Sequence, residues 1–475
     1  MAPPSSPPSP LPVSNGCLII LYASQTGNAM DVAEHVCREA ERGGCLAVDV
    51  LSMDIFNPSC LPDEGFMIFV ESTMGQGDPP DSMKGFWKYL LQKHLGAWWL
   101  EGLHYAVFGL GDSGYQKYNF PAKKLDQRLL DLGAKQIIEK GLGDDQHPAG
   151  YEGALDPWLQ SLWTSLHETN PLLLPKITDI IQPNLDILGD AKVEVRYFLA
   201  PEDEIEKGPI HPPSWSIDPY TRSMSPTLKF YNDGEPHYML RIVTNQRLTM
   251  EDSERDVRHF ELEDPCYGIN YQVGDSLEIL PTQNPAAVDV FIECCKLDPD
   301  CYITIEAKGR IGIPNCSIMN SSTDRIKPKT FVALTMDVAS ASPRRYFFEI
   351  MSYFATAECE KRRLKYLASP EGMPFESEGE EDDLSWYNQK EKRTVLEVLQ
   401  GFPSVQMPFE WLVQLTPPIK KRAFSISSSP LAYPNQIHLT VSIVSSLTPL
   451  ERKRYGLCST WLAGLRPNKG VCCFF

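Results

Sequence analysis

No stretch constrains this chain more than Leu18–Tyr22 and the loop Ser24, Gln25, Thr26, Gly27, Asn28, Ala29 that follows it. An apolar run of strand type leads into a loop of hydroxyls and one glycine. A helical pattern begins at once, with Val32, Val36 and Ala40 four apart and Gly43-Gly44 as its stop. Strand, tight turn and helix start in that order aim backbone N–H groups and the positive end of a helix dipole at one point, a ready anion site. The loop has no lysine, so the GxxxxGK[ST] pattern of a nucleoside triphosphate site is absent, and so is GxGxxG for a dinucleotide. A monophosphate held by N–H groups and by the hydroxyls of Ser24 and Thr26 remains, with an ordinary β–α turn as the alternative.

The later loops decide between the two. Strand patterns at 17–22, 46–51, 65–71, 105–110 and 136–140 alternate with helical ones at 29–42, 81–95, 119–132 and 151–167. That alternation predicts a parallel sheet covered on both faces, with ligands beyond the strands' carboxyl ends. Polar loops fall there: Ser24–Ala29, Ser72–Asp78, Gly111–Asn119 and Gly143–His147. Gly75 and Gly77 permit close backbone approach, Tyr115 and Tyr118 offer ring faces, and Asp145 can accept from sugar-like hydroxyls. Together they suit a flat heterocycle carrying a phosphate.

At 475 residues the chain has room for two to four domains. Residues 1–16 are Pro/Ser-rich, lack a signal-peptide pattern and are expected to be disordered. No apolar run reaches the length of a membrane span. A net charge of −18 disfavours nucleic acid and anionic membrane surfaces, and it suits a basic patch on a protein partner. The 13 cysteines show neither CxxC nor Cys/His ligand spacing. They read as reduced thiols of a cytoplasmic protein, and no metal site is expected.

Residues 169–235 are Pro-rich and read as a linker and the lead-in to a second domain, with 191–199 as an edge strand. From 236 the texture is antiparallel β: 238–244, 257–263 and 276–280 alternate between turn signals. Residues 285–400 read as helical, at 285–297, 343–368 and 393–400. Two polar breaks interrupt them, 316–329 and the acidic 376–383, the latter a solvated loop.

The motifs SQTGNA, STMGQGDPPD, GLGDSGYQKYN and GLGDD resemble, in order, the four flavin loops of the FMN domain of diflavin reductases. The resemblance implies an FMN phosphate on Ser24, Gln25, Thr26, Gly27, Asn28 and Ala29. It puts the ring among Ser72, Thr73, Met74 and Gly75 on one side. On the other side stand Leu110, Gly111, Asp112, Ser113, Gly114, Tyr115, Gln116, Lys117, Tyr118 and Asn119, with Asp145 near the ribityl chain. Met74 stands where many relatives carry a stacking tyrosine; a thioether still packs on an aromatic face.

Downstream, Arg422-Ala423-Phe424-Ser425 opens a strand, and Gly456-Leu457-Cys458-Ser459-Thr460 opens a short helix. A guanidinium and a helix start suit a pyrophosphate. Following a barrel pattern, these two segments resemble the RxYS and GxxS/T motifs for FAD in the ferredoxin-reductase-like superfamily, with Phe424 in place of tyrosine. The Val273–Pro285 stretch resembles the same family's approach to its FAD barrel. Lys392 stands where relatives commonly carry arginine against FAD, with Arg393 beside it.

The implied fold is an α/β flavodoxin-like parallel sheet (17–168) followed by an antiparallel β-barrel FAD domain (236–475) with a helical connecting insert at about 285–400. The implied chemistry is electron transfer from NADPH through FAD and FMN to a protein acceptor. Of the hydride-transfer residues only Ser425 has a counterpart, because the resemblance stops near Leu465 where relatives continue into an NADPH domain. A C-terminally truncated form is therefore expected. The short link between flavin domains, the TMG of STMGQG and GDDQH point to the cytosolic branch, whose acceptor is an anamorsin-like iron–sulfur assembly protein. A methionine synthase reductase-like enzyme and a flavin-binding module without NADPH turnover are the alternatives.

Overall fold

The computed structural model describes residues 17–25, 27–147, 149–181, 188–198, 215–217, 228–230, 237–265, 268–307, 325–369, 384–467 and 470–474. Thr26, the expected disordered 1–16, the acidic 376–383 and most of 316–329 lie outside them. The chain divides into two compact units, Met1–Leu188 and Gly189–Phe475. No helix among the described residues is long and apolar enough to cross a membrane.

The first unit alternates strand and helix as expected. Strands β1 (Cys17–Ala23), β2 (Ala47–Ser52), β3 (Phe66–Ser72), β4 (His104–Gly111), β5 (Lys135–Gln136) and β6 (Gly141–Asp144) all pair parallel. Their order is β2-β1-β3-β4-β5, with β6 also on β4. Helices α1 (Asn28–Arg42), α2 (Asp81–Leu90) and α3 (Phe120–Asp131) lie in crossovers, and α4 (Glu152–Thr169) follows the last strand. Strand and helix parity explains the core: alternate residues Met67 and Phe69 of β3 meet Phe86 and Leu90 of α2 and Leu125 and Leu129 of α3, all buried. Each such side chain contributes about 1.5–3 kcal/mol by leaving water.

Two expectations change here. The fifth strand, expected at 136–140, is two pieces, and Gly141–Asp144, expected to open a loop, is the piece against β4. Residues past 168, expected as linker, pack onto this unit. Short helix α5 (Ile177–Ile181) follows the Lys176 N–H, which donates to Gly43 O at 2.7 Å.

In the second unit β7 (Val193–Phe198) pairs with β13 (Tyr302–Ala307), a strand the helical reading of 285–400 did not anticipate. A separate two-stranded ribbon joins β8 (Trp215–Ile217) to β9 (Leu228–Phe230). The main antiparallel sheet contains β10 (His237–Arg247), β11 (Val257–Glu263), β12 (Ser276–Ile279), β14 (Arg422–Ser425), β15 (Gln436–Ser442) and β18 (Gly470–Phe474), in the order β14-β12-β18-β10-β11-β15. An Ile426–Leu439 bridge just past β14 joins the two outer strands and closes the barrel. Inside lie Leu240, Ile242, Phe260, Leu262, Leu277, Ile279, Ile437 and Leu439, stoppered by Cys458 and Leu462 of α12 (Leu457–Gly464). Residues past Leu465, where the resemblance stops, form β18 between β12 and β10.

The insert carries α6 (Pro285–Cys294), α7 (Pro328–Thr335), α8 (Arg345–Phe354), α9 (Glu358–Ala368), α10 (Val395–Gly401) and α11 (Phe409–Leu415). The expected single helix 343–368 is broken at residues 355–357, where Ala355 bridges to Val405. α10 opens with a capping box: Thr394 Oγ1 accepts from Glu397 N–H at 3.2 Å, and Glu397 Oε2 accepts from Thr394 N–H at 3.0 Å. Hairpin β16 (Ser445–Leu447) and β17 (Lys453–Tyr455) leads into α12.

Candidate functional site

The loops beyond the carboxyl ends of β1, β3, β4 and β6 are stitched to one another. Ser72 Oγ donates to Ala23 O at 3.3 Å, Thr73 N–H to Leu110 O at 2.8 Å, and Asp145 N–H to Gly111 O at 2.9 Å. In the first loop Gly27 is left-handed (φ 102°) and caps α1 with its backbone; no side chain caps that end. Gly27 N–H donates to Ser24 Oγ at 2.8 Å, which leaves the Ser24 proton available to an anion. Gln25 hydrogen-bonds Asp81 at the start of α2, and Ala29 is fully buried.

Met74 and Asp78 exchange N–H to C=O bonds of 2.8 and 2.9 Å, making a tight hairpin. At its tip Gly77 has φ 99°, and a Cβ there would run into the Lys117 side chain. Only glycine lets loop 72–78 lie so close against loop 111–119. In that second loop Asp112 Oδ1 accepts from Gly114 N–H at 2.8 Å and from Gln146 Nε2 at 2.9 Å. Asp144 Oδ1 accepts from the N–H groups of Ser113 (2.9 Å) and Gln146 (3.0 Å). Burial works against its charge, but these bonds keep the Asp144 carboxyl below its ordinary range. Partial enclosure, then Asp112 and Asp144 nearby, push Asp145 upward.

The two tyrosines part company. Tyr118 donates its hydroxyl to Leu142 O at 2.9 Å and lies under Lys123, whose Nζ is 5.0 Å from the ring. Tyr115 is 52% exposed, so its ring face is the one on offer to a ligand. Ser113, Gly114, Gln116 and Lys117 are exposed, whereas Leu110 and Gly111 end a buried strand. Asn119 is fully buried, donates Nδ2–H to Gly143 O at 2.9 Å, and adopts φ 50° to start α3, while its Oδ1 has no hydrogen-bond partner among the described residues. It is a staple between two loops.

In the barrel, Arg422 and Phe424 of β14 pair opposite Ile279 and Leu277 of β12; Arg422, Ala423 and Ser425 are exposed and Phe424 is half-buried. The Arg422 guanidinium has an Nη1 bond of 3.3 Å to its neighbour's Lys421 O. It also lies close enough to Cys458 to offset part of the burial that pushes that thiol up to about 12. The guanidinium and the start of α12 therefore converge. α12 has no side-chain cap, and a Cβ on Gly456 would sit 2.9 Å from Val444 Cβ. Ser459 Oγ accepts from Val444 N–H at 3.1 Å and donates to Gly456 O at 3.3 Å, so its side chain holds the turn. Cys458 likewise faces the core, so neither its thiol nor the Ser459 hydroxyl is presented outward. Lys392 is exposed with φ 47°; Arg393 lays its guanidinium 4.4 Å over the Tyr387 ring. Their segment is tied to the hairpin before α12 through Leu450 N–H to Glu391 Oε1 (2.8 Å) and a bidentate Arg454–Glu397 pair (2.7 and 2.8 Å).

Comparison with known proteins agrees with both halves. The flavodoxin family matches residues 20–158, and the FAD binding domain family matches residues 232–461. The chain is 55% identical over 457 residues to NADPH-dependent diflavin oxidoreductase 1 of Arabidopsis thaliana, covering 96% of this chain and 71% of that one. It is 36% identical over 472 residues to the Danio rerio protein of that name (96% and 72%), and 35% over 463 residues to that of Mus musculus (95% and 71%). The chain belongs to the NADPH-dependent diflavin oxidoreductases.

As a diflavin oxidoreductase it has one unit of flavodoxin type, for FMN, and one FAD-binding unit. Sequence reasoning missed the residues that shape these cradles rather than line them. Asp144 and Gln146 lace the fourth and fifth strand-end loops, and Glu391 and Glu397 anchor the approach to α12. The first pair was visible inside GLGDDQH, where only Asp145 attracted notice. Of the second pair, Glu397 was visible only as the end of a Thr394-x-x-Glu397 capping box, and Glu391 had no local signal.

Proposed function

We propose that this chain takes electrons that originate in NADPH, passes them by way of FAD and FMN, and delivers them to a cytoplasmic iron–sulfur cluster protein of the anamorsin-like kind. The flavins supply the redox chemistry; the chain supplies grip, orientation and shelter. The observation that carries the reading is the pair of cradles built for different phosphates. On the FMN side, Gly27, Asn28 and the Ser24 proton at the start of α1 would hold a monophosphate, with Thr26 between them. Tyr115 would cover one face of the ring and Met74 the other, and Asp145 would accept from the ribityl hydroxyls. Tyr115's exposure favours an isoalloxazine edge that a protein acceptor can approach. On the FAD side, Arg422 would fork onto the pyrophosphate opposite the first N–H groups of α12, with Phe424 and Ser425 beside the ring and Lys392 and Arg393 adding positive charge.

The net charge of −18 favours an acceptor with a basic patch. The test is anaerobic: photoreduce the flavin-loaded chain, mix it with an oxidised anamorsin-like protein, and follow bleaching of the cluster. Fast, saturable bleaching is expected. Reduction no faster than by free flavin would remove the acceptor from this reading, and faster reduction of a cobalamin protein would favour the methionine synthase reductase-like alternative.

A further inference from the structure

On the outer surface of the barrel, β11 and β15 run antiparallel with Glu261 directly opposite His438 and His259 opposite Thr440. Phe260 and Leu262 of β11 and Ile437 and Leu439 of β15 point into the core, so strand alternation puts His259, Glu261 and His438 together on the other face. A ligand atom from each lies within 4.8 Å of the other two. His259 Nε2 is 3.5 Å from Glu261 Oε1, and the two imidazoles meet edge to face with centroids 5.2 Å apart.

The group is held from several sides. Thr244 of β10 donates its hydroxyl to Glu261 Oε2, leaving Oε1 turned to the histidines. The Tyr433 ring packs on His438 at 4.2 Å, and Ser428 Oγ accepts the His438 N–H at 3.0 Å. His438 is only 7% exposed, and burial pushes its imidazole below the ordinary range.

We propose that His259, Glu261 and His438 form a binding site for a divalent transition-metal ion, of the zinc or copper class. Two imidazoles and one carboxylate are a donor set for those ions, and not for magnesium or calcium, which take oxygen. Bonds of about 2.0 Å at tetrahedral angles put ligand atoms about 3.3 Å apart, so small side-chain rotations close the group around an ion. Bound metal would clamp β11 to β15 beside the Ile426–Leu439 closure of the barrel. None of the three residues is assigned to a flavin, so the site stands apart from the electron-transfer reading.

The test uses the full flavin-loaded chain with oxidised flavins, which are silent in electron paramagnetic resonance. Accessible thiols such as Cys294 and Cys359 are first blocked. Substoichiometric copper(II) is added, and pulsed spectra report nitrogen from bound imidazole. Signals from two imidazoles are expected, displaced by zinc. His438→Ala should remove one and weaken copper binding at least tenfold. His259→Ala, at a more exposed position where folding is not at stake, should do the same. Glu261→Gln should weaken binding without removing either nitrogen signal. Spectra and affinity unchanged in His259→Ala, or copper held by thiolate or by adventitious surface groups only, would overturn the proposal.

Discussion

Glu71 ends β3 between Ala23 of β1 and Gly109 of β4, and its side chain turns into the core on the side of Met67 and Phe69. It is 1% exposed, and neither carboxylate oxygen has a hydrogen-bond partner among the described residues. Burial, and after it the charge of Asp126, pushes its pKa from 4.5 to about 8. The folded state therefore binds a proton that the unfolded state has released between those values, so stability is greatest below pH 4.5 and is lost as pH rises to 8. At about 1.36 kcal/mol per unit, the loss relative to a neutral side chain is about 1 kcal/mol at pH 5, about 3 at pH 7 and about 4 at pH 8. Glu71→Gln keeps the shape and removes the ionisation. It should stabilise the flavodoxin-type unit by those amounts. At about 2–4 °C per kcal/mol, its transition temperature at pH 7 should rise by roughly 6–12 °C. Calorimetry of the apo-chain identifies the right transition as the one that added FMN raises. A Glu71→Gln shift that is the same at pH 5 and pH 8, or a destabilisation at both, would refute the argument.

Arg422→Ala should weaken FAD by about ten- to a hundredfold, since a charge-assisted bond is worth ~1.5–3 kcal/mol; equal loss of FMN in the same flavin-release assay would mean general destabilisation. Gly77→Val forces loop 72–78 off the Lys117 side chain and should raise the FMN dissociation constant by at least about tenfold, ~1.4 kcal/mol, with FAD content unchanged. Tyr115→Ala should cost FMN about two- to tenfold, the ~0.5–1.5 kcal/mol of an aromatic stack, measured by quenching of flavin fluorescence. Tyr118→Phe should change FMN affinity far less, because its hydroxyl is spent on Leu142 O.

Local pattern sufficed wherever a residue's job is set by its neighbours in the chain. The strand-loop-helix at 17–42, the alternation of the first unit, the alternating strands from 238 to 280 and the motif loops were all legible, because burial imposes periods of two and 3.6 on the sequence. Glycine at 27, 75 and 77 was legible for a similar reason: all three adopt positive φ. The break at 355–357 and strand β13 were not, since an apolar run of modest length fits a helix or a strand until its partner is known. Nor was β18, whose place between β12 and β10 depends on pairing with strands about 190 to 240 residues earlier in the chain.

What the sequence determined by itself was therefore the kind of chain this is: two flavin-binding architectures, their order, and the polar loops beyond the strand ends. Tertiary structure alone decided which side chains in those loops are presented and which are consumed. It spent Tyr118 and Asn119 on backbone carbonyls, turned Cys458 into the barrel and left Tyr115 and Arg422 exposed. It also brought His259 and Glu261 to His438 and left the Glu71 carboxylate without a hydrogen-bond partner among the described residues. The reason is physical: a motif specifies residue types at a spacing, but hydrogen-bond partners and burial are properties of contacts between distant segments, and these exist only once the sheet and the barrel have closed.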